Sequence, residues 1–357
     1  MIDFLVIGGG VAGLSAAARL SEHGTVTVLE QEDALGFHAS GRSAALFEPN
    51  YGADTVKVLS RASEDYHRSA YGGYLSPRGL MLLGAAEDAH FEKDRTYLGC
   101  DEISVADAQT RVPILNMDHV RRAAFRDGAE DIDTDRLLQD FAKTIRNTGG
   151  QVVTHAAVTD IRKMHNGWAI STATTTYEAR LLVNAAGPWA DEIARLAGRT
   201  PIGLSPLRRS MARIPIPGDH DLTHWPMFFG VGETWYAKPD AGQLIVSPAE
   251  EDPCPPMDAY PEDMAQAEGF ARYQDFVRPK VTRPTATWAG LRTFAPDRTL
   301  VLGPDPIDPS FIWSVGQGGY GFQTAPAASQ LVADLTVGNA PEFPPDIVAA
   351  LSPNRFT

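Results

Sequence analysis

Gly8, Gly10 and Gly13 stand at Gly-x-Gly-x-x-Gly spacing, and a carboxylate, Glu30, follows at the end of the next apolar run. Each position has its own task. Gly8 permits a tight turn, Gly10 lets the backbone approach a pyrophosphate closely, and Gly13 lets the following helix pack tightly. Val11 and Ala12 fall in the first turn of that helix, whose free N–H groups and dipole favour an anion. A carboxylate at Glu30 can accept hydrogen bonds from both hydroxyls of a ribose. The chemistry this set supports is dinucleotide binding. A plain glycine turn with a merely solvated Glu30 would require four features to coincide.

The elements that must position these residues surround them. Ile2 to Ile7 is a short apolar, β-branched run that reads as a buried strand. Val11 to His23 is Ala-rich and reads as a helix, and Thr25 to Leu29 returns as a second strand, closing a right-handed βαβ unit. Further on, Asp133 or Thr134 can cap a helix carrying Leu137, Leu138, Phe141 and Ile145 at helical spacing, with Gly149 and Gly150 ending it. Gln151 to Val153 follows as a strand. Runs at Ala156 to Ile161 and Trp168 to Thr172, joined at Asn166-Gly167, predict a hairpin. Arg180 to Ala186 reads as a buried strand leading into a helix from Trp189 to Leu196. Leu300 to Gly303 and Phe311 to Val315 are short strands, and a helix runs on to about Leu335.

Two stretches differ, being proline-dotted with weaker periodicity. They predict an α/β fold with a Rossmann-like nucleotide domain of residues 1–46, 131–204 and 291–357. Inserted into it is an α+β substrate domain of residues 47–130 and 205–290, built on a mixed or antiparallel sheet. A chain of 357 residues is long enough for two such cores.

Bulk properties exclude several functions. The net charge of −14 opposes nucleic acid and anionic lipid as partners. No apolar run approaches the ~18 residues of a membrane helix, and no signal segment is visible, so a cytoplasmic location is expected. Cys100 and Cys254 are too few for a disulfide framework or zinc site and read as packing or surface residues. The nine histidines form no metal-ligand spacing, so no metal is expected.

NAD and FAD share the Gly8–Gly13 fingerprint. A second glycine cluster, Ser40-Gly41-Arg42-Ser43-Ala44-Ala45, follows Glu30, and a third, Gly316-Gln317-Gly318-Gly319-Tyr320-Gly321, lies far along the chain. One extended dinucleotide with a large ring accounts for three such segments, and FAD is that ligand.

With Val183-Asn184-Ala185-Ala186-Gly187-Pro188-Trp189 and Trp288-Ala289-Gly290-Leu291-Arg292, these motifs resemble, nearly end to end, the D-amino acid oxidase superfamily of flavoproteins. Within it the resemblance is greatest to FAD-dependent D-amino acid dehydrogenases of the D-arginine dehydrogenase kind. The resemblance implies non-covalent FAD, held also by Gln31, Val158, Ala186, Gly187, Trp189, Gly290, Gly316, Gly318, Gly321 and Gln323. It implies that Arg292 and Arg209 bind the substrate carboxylate, a role suited to the planar guanidinium fork. Strand alternation then allows only one of Arg208 and Arg209 into the cleft, and Arg209 is the one expected. Tyr51, on a mobile loop, and Tyr236 match pocket tyrosines, and Gly319 and Tyr320 match a loop meeting substrate and flavin. A helix starting near Thr324 or Ala325 would aim its positive end at the ring.

The departures from that pattern concern the substrate side chain. Leu80 stands where the arginine-specific enzymes carry Glu, and Leu46 where they carry His. A cationic side chain would therefore lie against leucine without a partner, which costs several kcal/mol. A neutral or apolar side chain is expected unless Glu48 or another carboxylate supplies the charge. The implied reaction is hydride transfer from the α-carbon to flavin N5, giving an imino acid and then a 2-oxo acid, with oxygen or a quinone as electron acceptor. The same clamp also suits a sarcosine- or glycine-type amine oxidase or a 2-hydroxy acid dehydrogenase. A non-catalytic FAD-binding module is the alternative outside enzymes.

Overall fold

The computed structural model describes residues 1–86 and 88–356. Its first sheet centres on Ile2–Ile7, which pairs in parallel with Thr176–Asn184 on one side and Val26–Leu29 on the other. Gln151–Val153 extends the parallel set beyond Val26–Leu29, and Phe311–Val315 joins Thr176–Asn184. These strands read as continuous apolar runs because both faces are covered. Val158–Met164 and Gly167–Thr172 form the expected hairpin, but Met164 is opposite Gly167, so the turn is His165-Asn166 and Gly167 opens the second strand in place of closing the turn. Gly167 has φ 142°, and a Cβ there would overlap the Ala179 carbonyl of the adjacent strand.

The helix between the first two strands spans Val11–Leu20 and ends before His23, with Ser21 in the cap position. The helix Thr134–Asn147 is capped by Asp133, whose side chain accepts the Arg136 N–H at 3.1 Å. The last long helix, Gly321–Val337, begins three residues before the expected Thr324. All three pack in one core through residues such as Leu14, Leu137, Phe141 and Leu331.

The second sheet has nine strands and is mixed, with Met227–Gly230 parallel to Leu80–Gly84 and the remaining pairings antiparallel. Its longest ladder joins Ser205–Ile214 to Ala286–Phe294. A separate core of Met81, Phe228, Trp235 and Tyr273 lies against it. A small third sheet of Leu46–Phe47, Glu130–Ile132 and Leu75–Pro77 sits between the two.

Four α-helices of the described residues lie in the stretches read as weakly periodic: Asp54–Ser69, Phe91–Leu98, Val105–Arg111 and Asp263–Phe276. The first corrects the sequence-drawn boundary at residue 47. Val56 and Leu59 of that helix enter the core of the nucleotide-binding layer beside the last long helix, so this segment packs there and not with the second sheet. Among the described residues no helix is long and apolar enough to cross a membrane.

Candidate functional site

A cleft of about 300 Å³ runs from the carboxyl ends of the first sheet's parallel strands to one face of the second sheet. Crevices at such strand ends are where open α/β sheets bind ligands. Gly8, Gly10, Val11 and Ala12 line its near end. Gly13 stands behind them, where a Cβ would overlap the Gly8 carbonyl oxygen, so its task is helix packing. Glu30 and Gln31 line the cleft beside the next strand. The Glu30 carboxylate is 7% exposed and is oriented by the N–H groups of Gly9 at 2.6 Å and Glu32 at 3.0 Å. Each oxygen thus keeps a free lone pair for a ligand hydroxyl.

The Ser40 hydroxyl accepts the Val11 N–H at 3.0 Å and ties the second glycine cluster to the start of the first helix. Arg42, Ser43, Ala44, Ala45 and Leu46 continue along the wall. The Arg42 guanidinium is directed away from a cofactor role, donating to the Ala259 and Ala289 carbonyls at 2.9 Å and pairing with Asp258. Gly41 does not line the cleft; a Cβ there would crowd the Gly36 carbonyl at 2.5 Å. On the opposite wall are Val158, Ala186, Gly187 and Trp189, with His38 against the Trp189 ring at 4.7 Å between centroids. Gly290, Gly318, Gly319, Gly321 and Gln323 complete it, whereas Gly316 and Tyr320 stand outside the lining.

These residues fit FAD. The glycines at 8 and 10 bare the backbone where a pyrophosphate must approach, Glu30 presents free lone pairs, and Gln323 Nε2 is a buried donor with no partner among the described residues. The first turns of two helices, Val11–Leu20 and Gly321–Val337, open on the same cleft.

Strand register brings the arginines together. Leu207 is opposite Arg292 and Arg209 is opposite Gly290, so Arg209 and Arg292 project from one face as diagonal neighbours. Both line the cleft. Arg208 takes the other face, with its guanidinium over Tyr260 and 3.6 Å from Cys254 Sγ. Arg209 is 5% exposed and donates through Nε to the Glu250 carbonyl at 2.9 Å, with Glu251 at 3.4 Å. Arg292 makes no hydrogen bond or ion pair among the described residues. Burial lowers the Arg209 pKa, and repulsion from Arg292 lowers it further. An anion between the two guanidiniums would relieve both.

Tyr236 is buried and lines the cleft. Tyr51 lies outside the lining, donating to Glu233 Oε2 at 2.9 Å with its ring edge-on to Tyr320 at 5.7 Å. Burial, with the Glu233 charge, keeps the Tyr51 phenol protonated far above its ordinary range. Gly319 passes so close to Arg292 that a Cβ would come within 3.0 Å of Nη1.

Two of the three expected side-chain-pocket residues are elsewhere. Glu48 is 4% exposed, paired with Arg126 and accepting the Asn50 N–H at 2.9 Å, so it does not face the cleft. Leu80 is buried in a cluster with Leu82 and Phe229 behind the wall. Only Leu46 lines the cleft. Conversely, Glu251 stands near both arginines and Glu233 near Arg292, and neither was identified from sequence, because each meets its partner across a long loop of chain.

Among curated proteins, the chain is 24% identical to glycine oxidase of Pseudomonas aeruginosa, with 96% of each chain covered. It is 24% identical to human peroxisomal sarcosine oxidase, covering 96% of this chain and 93% of that one. Rat mitochondrial dimethylglycine dehydrogenase is 26% identical over 55% of this chain, but the match spans only 24% of that protein. Of solved structures, glycine oxidase from Geobacillus kaustophilus shares the fold at a TM-score of 0.82 with 20% identity, covering 98% of both chains. L-proline dehydrogenase from P. horikoshii does so at 0.81 with 22% identity, covering 99% of this chain and 97% of that one. The family model described as DAO, FAD dependent oxidoreductase, matches residues 3–335, and the chain belongs to that family.

Proposed function

We propose that the chain oxidises a small amino acid at the carbon bearing nitrogen, the substrate being D-configured where that carbon is substituted and its side chain neutral. The observation that carries the reading is the pair of guanidiniums on one strand face, with Arg292 making no hydrogen bond or ion pair among the described residues. A half-buried guanidinium with no hydrogen-bonded partner among the described residues has its fork free, and a substrate carboxylate would fill it. FAD, when bound non-covalently in the cleft, supplies a two-electron acceptor for the C–H bond beside the nitrogen.

The protein's own groups bind and orient. Arg292 and Arg209 hold the carboxylate, Tyr236 walls the same space, and Tyr51 and Tyr320 close it from the rim. Neither tyrosine at the rim needs to ionise, which agrees with the strongly raised Tyr51 pKa. With Glu48 consumed by Arg126 and Leu46 on the cleft wall, a neutral side chain is favoured. Glu233, which accepts the Tyr51 hydroxyl, is a rim carboxylate that a basic substrate in the panel would test.

A second reading, an oxidase of glycine or N-methylglycine, draws support from likeness to glycine and sarcosine oxidases over nearly the whole chain. The test is the visible spectrum of purified protein, then anaerobic bleaching by D-amino acids, glycine, sarcosine and L-2-hydroxyglutarate. Bleaching by neutral D-amino acids supports the first reading, and bleaching by glycine or sarcosine alone the second. Reduction by the hydroxy acid alone would refute both. Reduction by none would favour a non-catalytic FAD-binding module.

A further inference from the structure

Lys238 is a buried lysine, 8% exposed, that no step above uses. It lies on the strand Tyr236–Asp240, two residues from Tyr236 and so on the same strand face. Its ammonium donates to the Ala44 carbonyl at 3.0 Å and the Ala45 carbonyl at 2.9 Å, and pairs with Asp131 at 2.7 Å. Asp131 belongs to the small third sheet and also holds Arg78 at 2.8 Å. One cation therefore joins the second sheet, the third sheet and the cleft-lining segment 43–46.

The consequence is directional. Peptide units are planar and trans, so each N–H points opposite to the C=O of its own unit. With the carbonyls of Ala44 and Ala45 both turned onto Lys238, the N–H groups of Ala45 and Leu46 point away from it. Ala44, Ala45 and Leu46 line the cleft and Lys238 does not. The Ala45 N–H has no acceptor among the described residues. A bare donor held rigidly beside the space where FAD binds is electrostatically useful only if it cannot rotate away. Burial of the ammonium argues against a merely incidental contact, since an uncompensated charge there would be costly.

We infer that Lys238 is a positioning residue of the cofactor site, orienting the 44–46 peptides so that the Ala45 N–H is presented to the flavin ring. The inference rests on FAD occupying the cleft and not on which substrate is oxidised. It is tested on the full chain with Lys238→Met, which keeps length but removes the charge and leaves Asp131 paired with Arg78, and with Lys238→Arg. Apoprotein titrated with FAD should show a dissociation constant raised about tenfold or more in Lys238→Met, the scale of one lost charge-assisted contact. FAD-saturated Lys238→Met should have shifted visible bands and an altered midpoint potential, partly restored in Lys238→Arg. A merely structural lysine would leave both unchanged once the site is saturated. A wild-type spectrum and potential in saturated Lys238→Met overturns the inference. Should Lys238→Met fail to fold, Asp131→Asn must move the same spectrum and potential, and unchanged values there overturn it equally. A wild-type protein that stays colourless with added FAD would instead refute cofactor binding itself.

Discussion

Replacing Arg292 with methionine separates a binding arginine from a structural one. In the folded chain its guanidinium has no hydrogen-bonded or ion-paired partner among the described residues, and it repels Arg209 on the same strand face. Its removal should leave the thermal midpoint nearly unchanged, because the half-buried guanidinium has no direct partner among the described residues and its repulsion of Arg209 is offset by the nearby Glu233 and Glu251. Substrate binding should suffer in proportion to two charge-assisted hydrogen bonds to a carboxylate. Truncating one partner of such a buried pair costs on the order of 2–5 kcal/mol. Arg209 remains, but Nε is engaged by the Glu250 carbonyl and its outer edge by Glu251, so it can replace only part of the clamp. We therefore expect a loss of about 3 kcal/mol, or roughly 150-fold in kcat/KM, carried mainly by KM. Lysine at 292 should recover only a fraction, having the charge without the fork. The assay is steady-state oxidation of the best panel substrate, with anaerobic flavin reduction and thermal unfolding on the same samples. A variant that melts several degrees lower while keeping near wild-type kcat/KM would refute the reasoning.

The remaining expectations concern cofactor, acid stability and pH. Gly13→Ala should weaken FAD binding by on the order of 1–3 kcal/mol, since the new Cβ overlaps the Gly8 carbonyl and forces the helix off the strand; an FAD titration giving the wild-type constant would exclude this. His67 is fully buried, and burial pulls its pKa down to about 4 from 6.5. Between those values the unfolded chain binds a proton that the folded chain refuses, so this residue's contribution is intact above about pH 6.5. It falls by up to about 3 kcal/mol as pH approaches 4. His67→Leu should flatten that part of the stability profile in urea melts, and an unchanged slope would assign the acid sensitivity elsewhere. Catalysis should rise with pH through ionisation of the bound substrate amine, because only the neutral amine can give up its lone pair; a flat rate from about pH 6 to about 10 would contradict that.

Sequence reading was strongest where local rules act alone. The strand–glycine turn–helix opening, the Asp133 cap and the hairpin near Asn166 each depend on residues a few positions apart, and each is present, the turn itself shifted by one residue to His165-Asn166. It was weakest for the helices Asp54–Ser69 and Asp263–Phe276, which sit in proline-dotted stretches where apolar residues are sparse. Val56 and Leu59 are buried by a helix far along the chain, and nothing nearby in sequence announces that partner. Of the positions matched one by one, Arg209 and Arg292 line the cleft and Glu48 and Leu80 do not. Those two depend on where a side chain turns, and Arg126 captures Glu48.

What the linear order of residues determined, then, is the dinucleotide fingerprint, the alternation that sends Arg208 and Arg209 to opposite faces, and the three glycine clusters. These are properties of backbone conformation and side-chain period, which are local. Only the tertiary structure decided that Arg292 has no direct partner among the described residues beside Arg209, that Glu251 borders both and Glu233 borders Arg292, and that Lys238 grips the 44–45 carbonyls. Those contacts join residues tens to hundreds of positions apart, and charge pairing across such distances exists only once the sheets have packed.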